Sequence, residues 1–210
     1  VRNFVTFEKV ILATCASLAL VNIAAAQERL APIPPDKQTD EQKKAVAQMV
    51  GPFPVGGPFA AFLRDPGMDV HAYALATHYR NSPVLGVKLT EFAIMMVARD
   101  WSQAFEWEAH YKRALDAGVK AETLAAIGER RRPAAMPEDE EIVYDFCTEL
   151  SRNKGVSDAT YARAIKKFGE QGVVMLTGLH GYYVMLATLL NVARTPVPNP
   201  QNPTMPALPQ

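Results

Sequence analysis

Leu89-Thr90-Glu91-Phe92-Ala93-Ile94-Met95-Met96-Val97-Ala98-Arg99-Asp100, continuing as Trp101-Ser102-Gln103-Ala104-Phe105-Glu106-Trp107-Glu108-Ala109-His110, decides the fold of this chain. Phe92, Ala93, Met96 and Val97 recur at helical spacing, so 89–100 reads as a helix with an apolar face. The spacing predicts a second helix from about Ser102 to Ala117, with Gly118 suited to the left-handed position that ends it. A short turn at Asp100-Trp101 folds the two helices into an antiparallel pair. On the second helix Gln103, Glu106 and His110 lie three, four and seven apart and share one face.

Outward from this hairpin the pattern stays helical. Thr39-Asp40-Glu41-Gln42 is a capping box opening a helix to about Met49. Gly51-Pro52-Phe53-Pro54-Val55-Gly56-Gly57-Pro58 breaks it, because neither helix nor strand tolerates that density of Pro and Gly. A short helix follows to about Arg64, then a turn at Asp65-Pro66-Gly67, then a helix from about Asp69 to Tyr79. Beyond Gly118 further helices are predicted at 121–129, 138–153 (closed by Gly155), 158–168 (capped by Ser157) and 171–193. Alternating strand-type runs are absent, so the fold class is all-α. Gly172 to Ala193 carries no charge and is long enough to cross a bilayer, but an all-round apolar helix equally suits a buried core or subunit interface. We read it as core or interface, so no stable membrane span is expected.

The two ends differ from the middle. Arg2 and Lys9 precede Val10 to Ala26, apolar apart from Thr14, Ser17 and Asn22 and ending in Ala24-Ala25-Ala26. That arrangement reads as a signal peptide over 1–26 rather than a membrane anchor or core helix, and it implies an exported, periplasmic protein. The helical domain then spans 27–195. Residues 196–210 hold six prolines and no charge and read as an extended tail. Removal of Cys15 with the signal leaves Cys147 as the one cysteine of the mature chain, mid-helix by pattern and read as a buried, inert thiol.

Lys+Arg and Asp+Glu number 22 each, and no basic stripe appears. Nucleic acid is therefore excluded as the expected partner, since phosphate backbones need clustered positive charge. A small molecule held by a single local arginine remains compatible with neutrality. The candidate chemistry is Glu106 one turn before His110: a carboxylate there can bond the imidazole, raise its pKa and fix its tautomer. Such a pair passes protons, the minimum for acid–base catalysis. The same spacing also occurs on solvated helix surfaces, where it is worth a few tenths of a kcal/mol. No third and fourth ligand accompany the pair, so a metal site is not expected.

Glu91, then Glu106-Trp107 and His110, then Ala114-Leu115-Asp116-Ala117-Gly118-Val119, resembles the signature of the carboxymuconolactone decarboxylase superfamily, which includes the alkylhydroperoxidase D-like proteins. Leu63-Arg64-Asp65-Pro66-Gly67-Met68 upstream and Tyr182-Tyr183, Leu186, Leu189-Leu190 and Asn191 downstream extend the resemblance over about residues 57–195. It implies an alkylhydroperoxidase D-like helical fold and rings of three or six subunits, hence a homo-oligomer, trimer or multiple. The peroxidase branch carries a glutamate, a Cys-x-x-Cys and a histidine. Laid on this chain, Glu91 takes the glutamate position and His110 the histidine, whereas Gln103 and Glu106 stand where the cysteines would be. Neither forms a disulfide, so thiol peroxidase activity is disfavoured.

The decarboxylase branch, by contrast, uses no metal or organic cofactor. The resemblance thus implies a lyase acting on a small carboxylated lactone or related acid. Glu91, Glu106 and His110 are its candidate catalytic groups, and Gln103, Arg99 and Arg113 its candidate substrate contacts. A non-catalytic periplasmic small-molecule-binding or assembly protein is the alternative, favoured by the lost thiols and the export signal.

Overall fold

Apolar spacing in the 89–110 stretch becomes the centre of the molecule. The computed structural model describes residues 27–51, 55–197 and 200–206, and among them every regular element is helical. The expected signal peptide, with Cys15, lies outside the described residues. After a 3-10 turn at Pro35–Lys37 come α1 (Asp40–Gln48), α2 (Pro58–Phe62), α3 (Pro66–Asn81) and α4 (Gly86–Asp100). Next follow α5 (Ala104–Asp116), α6 (Ala121–Gly128), α7 (Glu138–Asn153) and α8 (Asp158–Ala193).

Helix α4 is the axis of the fold, packed against α3, α5, α6, α7 and α8. Leu89 to Met95 are all buried, and Phe92, Ile94 and Met95 have no exposed surface. On α8, Leu176, Leu179, Leu186 and Leu190 close the other side of this core, each fully buried or nearly so. Burial of each such side chain contributes about 1.5–3 kcal/mol, which explains why the uncharged run from Gly172 onward faces α4. Half of that run is buried, and it is the one helix among the described residues long and apolar enough for a bilayer. Its outer face keeps Val174 (73% exposed) and Val192 (54%) in solvent.

Several boundaries differ from the sequence expectation, each for a local reason. Asp65-Pro66-Gly67 is not a turn ahead of α3 but its first turn. The Asp65 carboxylate accepts the Met68 N–H at 3.2 Å, and Pro66 sits where a helix has no use for an N–H. The residue closing α7 in the left-handed region is Lys154 (φ 62°), one position before Gly155. The two helices expected at 158–168 and 171–193 run on as α8, broken at Gly169 by φ 68°, ψ 179°, a combination open essentially to glycine alone. The capping box of α1 forms as expected, with Thr39 accepting from Gln42 N–H and the Gln42 side chain accepting from Thr39 N–H.

Among the described residues of the Pro-rich tail, 200–206 form no helix and are docked on the helical body. Trp107 Nε1 donates to Pro203 O at 3.0 Å, Asn202 Nδ2 to Glu108 O at 2.9 Å, and Arg99 Nη1 to Pro206 O at 2.9 Å. Gly128 lies beneath it: a Cβ there would stand 3.1 Å from Pro206 and 3.3 Å from Trp107, so a larger residue would need the tail or the indole to give by a few tenths of an ångström.

Candidate active site

Four helices converge on one imidazole. The α4–α5 hairpin brings Glu91 and His110 together as its geometry requires: Glu91 Oε2 lies 2.6 Å from His110 Nδ1. Glu106, one turn before His110 on α5, places Oε2 3.4 Å from Nε2. From the last turn of α3, Arg80 sets Nη2 2.9 Å from that same Nε2 and donates through Nε to the Tyr183 hydroxyl at 3.0 Å. The Tyr183 ring, from α8, stands edge-on to the imidazole at 5.4 Å and 88°. Glu91, Glu106, His110 and Tyr183 are all buried, His110 being 1% exposed, while Arg80 is half-buried and forms the cluster's outer edge.

This is not a solvated surface pair. Burial alone opposes charge on His110, but the Glu91 and Glu106 carboxylates outweigh it and the opposing Arg80, leaving its pKa above the ordinary value. Burial likewise raises Glu91, yet His110, Arg80 and Arg113 together bring it below the usual carboxylate range. A cluster of two carboxylates and one guanidinium carries a net negative charge with neutral imidazole and is balanced by imidazolium, which is why the proton is retained. Neutral His110 accepts from Arg80 at Nε2. Protonated His110 turns that nitrogen into a donor toward Glu106, and Arg80 must then withdraw. Proton gain at Nε2 and displacement of Arg80 are thus coupled.

The pair has a pH signature. A lowered carboxylate pKa stabilises the fold above its unfolded value of 4.5, and that contribution is lost as pH falls through the folded value. A raised imidazole pKa stabilises below 6.5, and that contribution is lost as pH rises through the folded value. The stability difference between wild type and an E91Q/H110Q double variant, from urea denaturation, should therefore be greatest between about pH 4.5 and 6.5. A difference still growing above pH 8 would contradict the assignment.

The other expected site residues separate. Gln103 is a structural cap: its Oε1 accepts the Phe105 N–H at 2.6 Å and its Nε2 donates to Asn191 Oδ1 at 2.8 Å, tying the hairpin to α8. Arg99 is two turns beyond Glu91 on α4, about 12 Å along the axis, and it faces a different cavity. Arg113 is exposed on α5, near enough to act on the Glu91 charge but not buried with it. Cys147 is buried on α7 and its thiol is pushed up to about 12, which makes it a poor nucleophile, as its position suggested. Among the described residues no three His, Cys, Asp or Glu side chains converge as ligands, and the Arg80 guanidinium stands before Nε2.

Sequence reasoning missed Arg80 and the role of Tyr183. Tyr183 carried a signal as half of a Tyr-Tyr pair on an uncharged helix, where a phenol needs a partner. Arg80 carried none beyond being a cation at a helix C-terminus. A third buried group, Asp69, has no hydrogen-bond partner among the described residues, and burial pushes its carboxyl up to about 7.

Surface cavities of about 210, 580, 310 and 300 Å³ open elsewhere on the molecule, and Glu91, Glu106 and His110 line none of them. No family model, curated protein or solved structure matches this chain.

Proposed function

We propose that the protein is an acid–base catalyst of the carboxymuconolactone decarboxylase kind, with an alkylhydroperoxidase D-like fold, acting on a small carboxylated lactone or related acid without cofactor. One observation carries the reading: the buried 2.6 Å contact between Glu91 and His110 Nδ1, with Nε2 turned toward the half-buried Arg80. A substrate carboxylate engages Arg80 and holds it away from Nε2, so the imidazolium keeps its Nε2–H. When the carboxylate leaves as carbon dioxide, its bonding pair passes into an enolate, and the Nε2 proton goes to the carbanionic carbon. Glu91 holds the imidazolium, Glu106 accepts the Nε2–H hydrogen bond, and water restores to Nε2 the proton given to carbon before the next turnover. The test is a screen of mature protein against carboxylated lactones, following carbon dioxide release. No turnover across the series, with the protein folded, counts against the reading.

That His110 lines none of the four cavities favours the alternative, a non-catalytic small-molecule-binding or assembly protein. An imidazole that stays inaccessible to diethyl pyrocarbonate in the presence of every candidate acid would support that alternative.

The same family reading carries an assembly. A second copy of this chain is the proposed cover for the outer face of α8, where Met185, Leu189 and Val192 line an apolar groove of about 580 Å³ with Met68 and Leu30. Light scattering at micromolar concentration should report a trimer or a multiple of it, and a stable monomer would remove the proposal. Export belongs to the same reading. Mature protein from a bacterial host is expected to begin near Gln27, which N-terminal sequencing reads directly.

A further inference from the structure

The far end of α4 presents a second, independent cluster of charge. There a cavity of about 210 Å³ opens between the α4 C-terminus, the turn after α6 and the face of α7. Its lining carries Arg99, Arg130, Arg131 and Arg152, and Asp100 is the one acidic residue among the lining side chains. A neighbouring cavity of about 310 Å³ shares Arg130 and Arg152 and adds Arg132 together with Asp145 and Glu149.

Guanidinium groups repel, so their convergence needs a reason. Two have protein partners: Arg131 pairs with Glu129 at 2.5 Å, and Arg132 pairs with Asp145. Arg130, itself in the left-handed region at φ 56°, donates to Asp100 O at 3.0 Å and so caps the end of α4. The other two are incompletely satisfied. Arg152 is exposed on α7 with no ion-pair or hydrogen-bond partner among the described residues. Arg99 is only 4% exposed; its Nη1 donates to Pro206 O, but its buried Nε has no partner among those residues. Burial and the charge of Arg130 hold the Arg99 pKa below its ordinary value. Buried charged donors are nearly always paired, and the group that pairs several guanidiniums at once is an oxyanion.

We propose that this cavity binds a small oxyanion, a phosphate or a short carboxylate, with Arg99 at its floor and Arg130 and Arg152 at its mouth. A volume of about 210 Å³ accommodates an ion of that size. Arg99 lies two turns of α4 from Glu91, and the site does not depend on the catalytic reading.

Isothermal titration of the whole protein with inorganic phosphate, and separately with malonate, tests this. Both titrations are run at constant ionic strength set with chloride. Saturable binding of one anion per chain by either probe is expected, and the tighter of the two names the ligand class. R152Q and R99Q should each weaken that binding by about 10- to 100-fold, the effect of losing one charge-assisted bond, while K112Q on the far face of α5 leaves it unchanged. Because Arg99 is interior and R99Q is at risk of misfolding, the Arg99 Nε–H resonance of the wild-type protein is followed as well. It should shift along the same isotherm as the heat. Heat no greater than chloride dilution, wild-type affinity in R152Q, or an unmoved Arg99 resonance at saturation would each overturn the site.

Discussion

Replacing His110 with glutamine is expected to lower turnover by about two to four orders of magnitude while the protein stays folded. Glutamine keeps a polar side chain of similar reach beside Glu91 and Arg80, so the interior does not gain an empty, unpaired pocket. It has no proton to give at neutral pH, so the enolate left by decarboxylation must take its proton from water. C147S is the companion variant: a thiol pushed up to about 12 and buried on α7 takes no part, and its loss should leave turnover within about twofold. Circular dichroism confirms folding in both. Full activity in folded H110Q would remove the acid–base mechanism, and lost activity in C147S would revive a thiol one.

The second large effect is on stability. Glu91→Ala removes one partner of a buried charged cluster and leaves the His110 imidazolium and Arg80, 2.9 Å apart, with Glu106 as the one carboxylate beside them. Breaking a buried pair from one side costs about 3–5 kcal/mol, because the remaining charge is stranded rather than resolvated. The midpoint of thermal unfolding should fall on the order of 10 °C. Replacing Glu91 and His110 together should cost less than the sum of the single changes, since neither stranded charge then remains. A single-variant loss below about 1 kcal/mol, read from urea denaturation near pH 6, would mean that the contact is not an ion pair.

The hairpin that brings these two residues together was legible because both of its signals are local. Phe92, Ala93, Met96 and Val97 mark the buried face of α4, and the short link to α5 forces an antiparallel return, so Glu91 meets His110. Arg80 and Tyr183 were not legible in that way. Arg80 lies 30 residues from His110 and 103 from Tyr183, and the packing of α3 on α8 that joins them is encoded by no local spacing.

Arg99 stands apart from Glu91 for a reason that helix geometry contains: two turns of α4 separate them. Gln103 shares a face with Glu106 and His110, but it stands where the chain enters α5. At that point its side chain is committed to the Phe105 N–H, and the face argument gives way to capping. The tail followed its prolines in being non-helical. Its docking on Trp107 depended on an indole N–H left free by α5, which the sequence showed only as one of two tryptophans.

The protonation of His110 in the resting protein tests the central claim most directly and needs no substrate. Nitrogen-15 chemical shifts of the His110 ring, followed from pH 5 to 9 against wild-type and E91Q protein, read Nδ1 and Nε2 separately. The account predicts both nitrogens protonated in wild-type protein at pH 6.5, with the transition moved upward from the ordinary imidazole value, and a downward return of that transition in E91Q. A bare Nε2 at pH 6.5, unchanged by loss of Glu91, would contradict it.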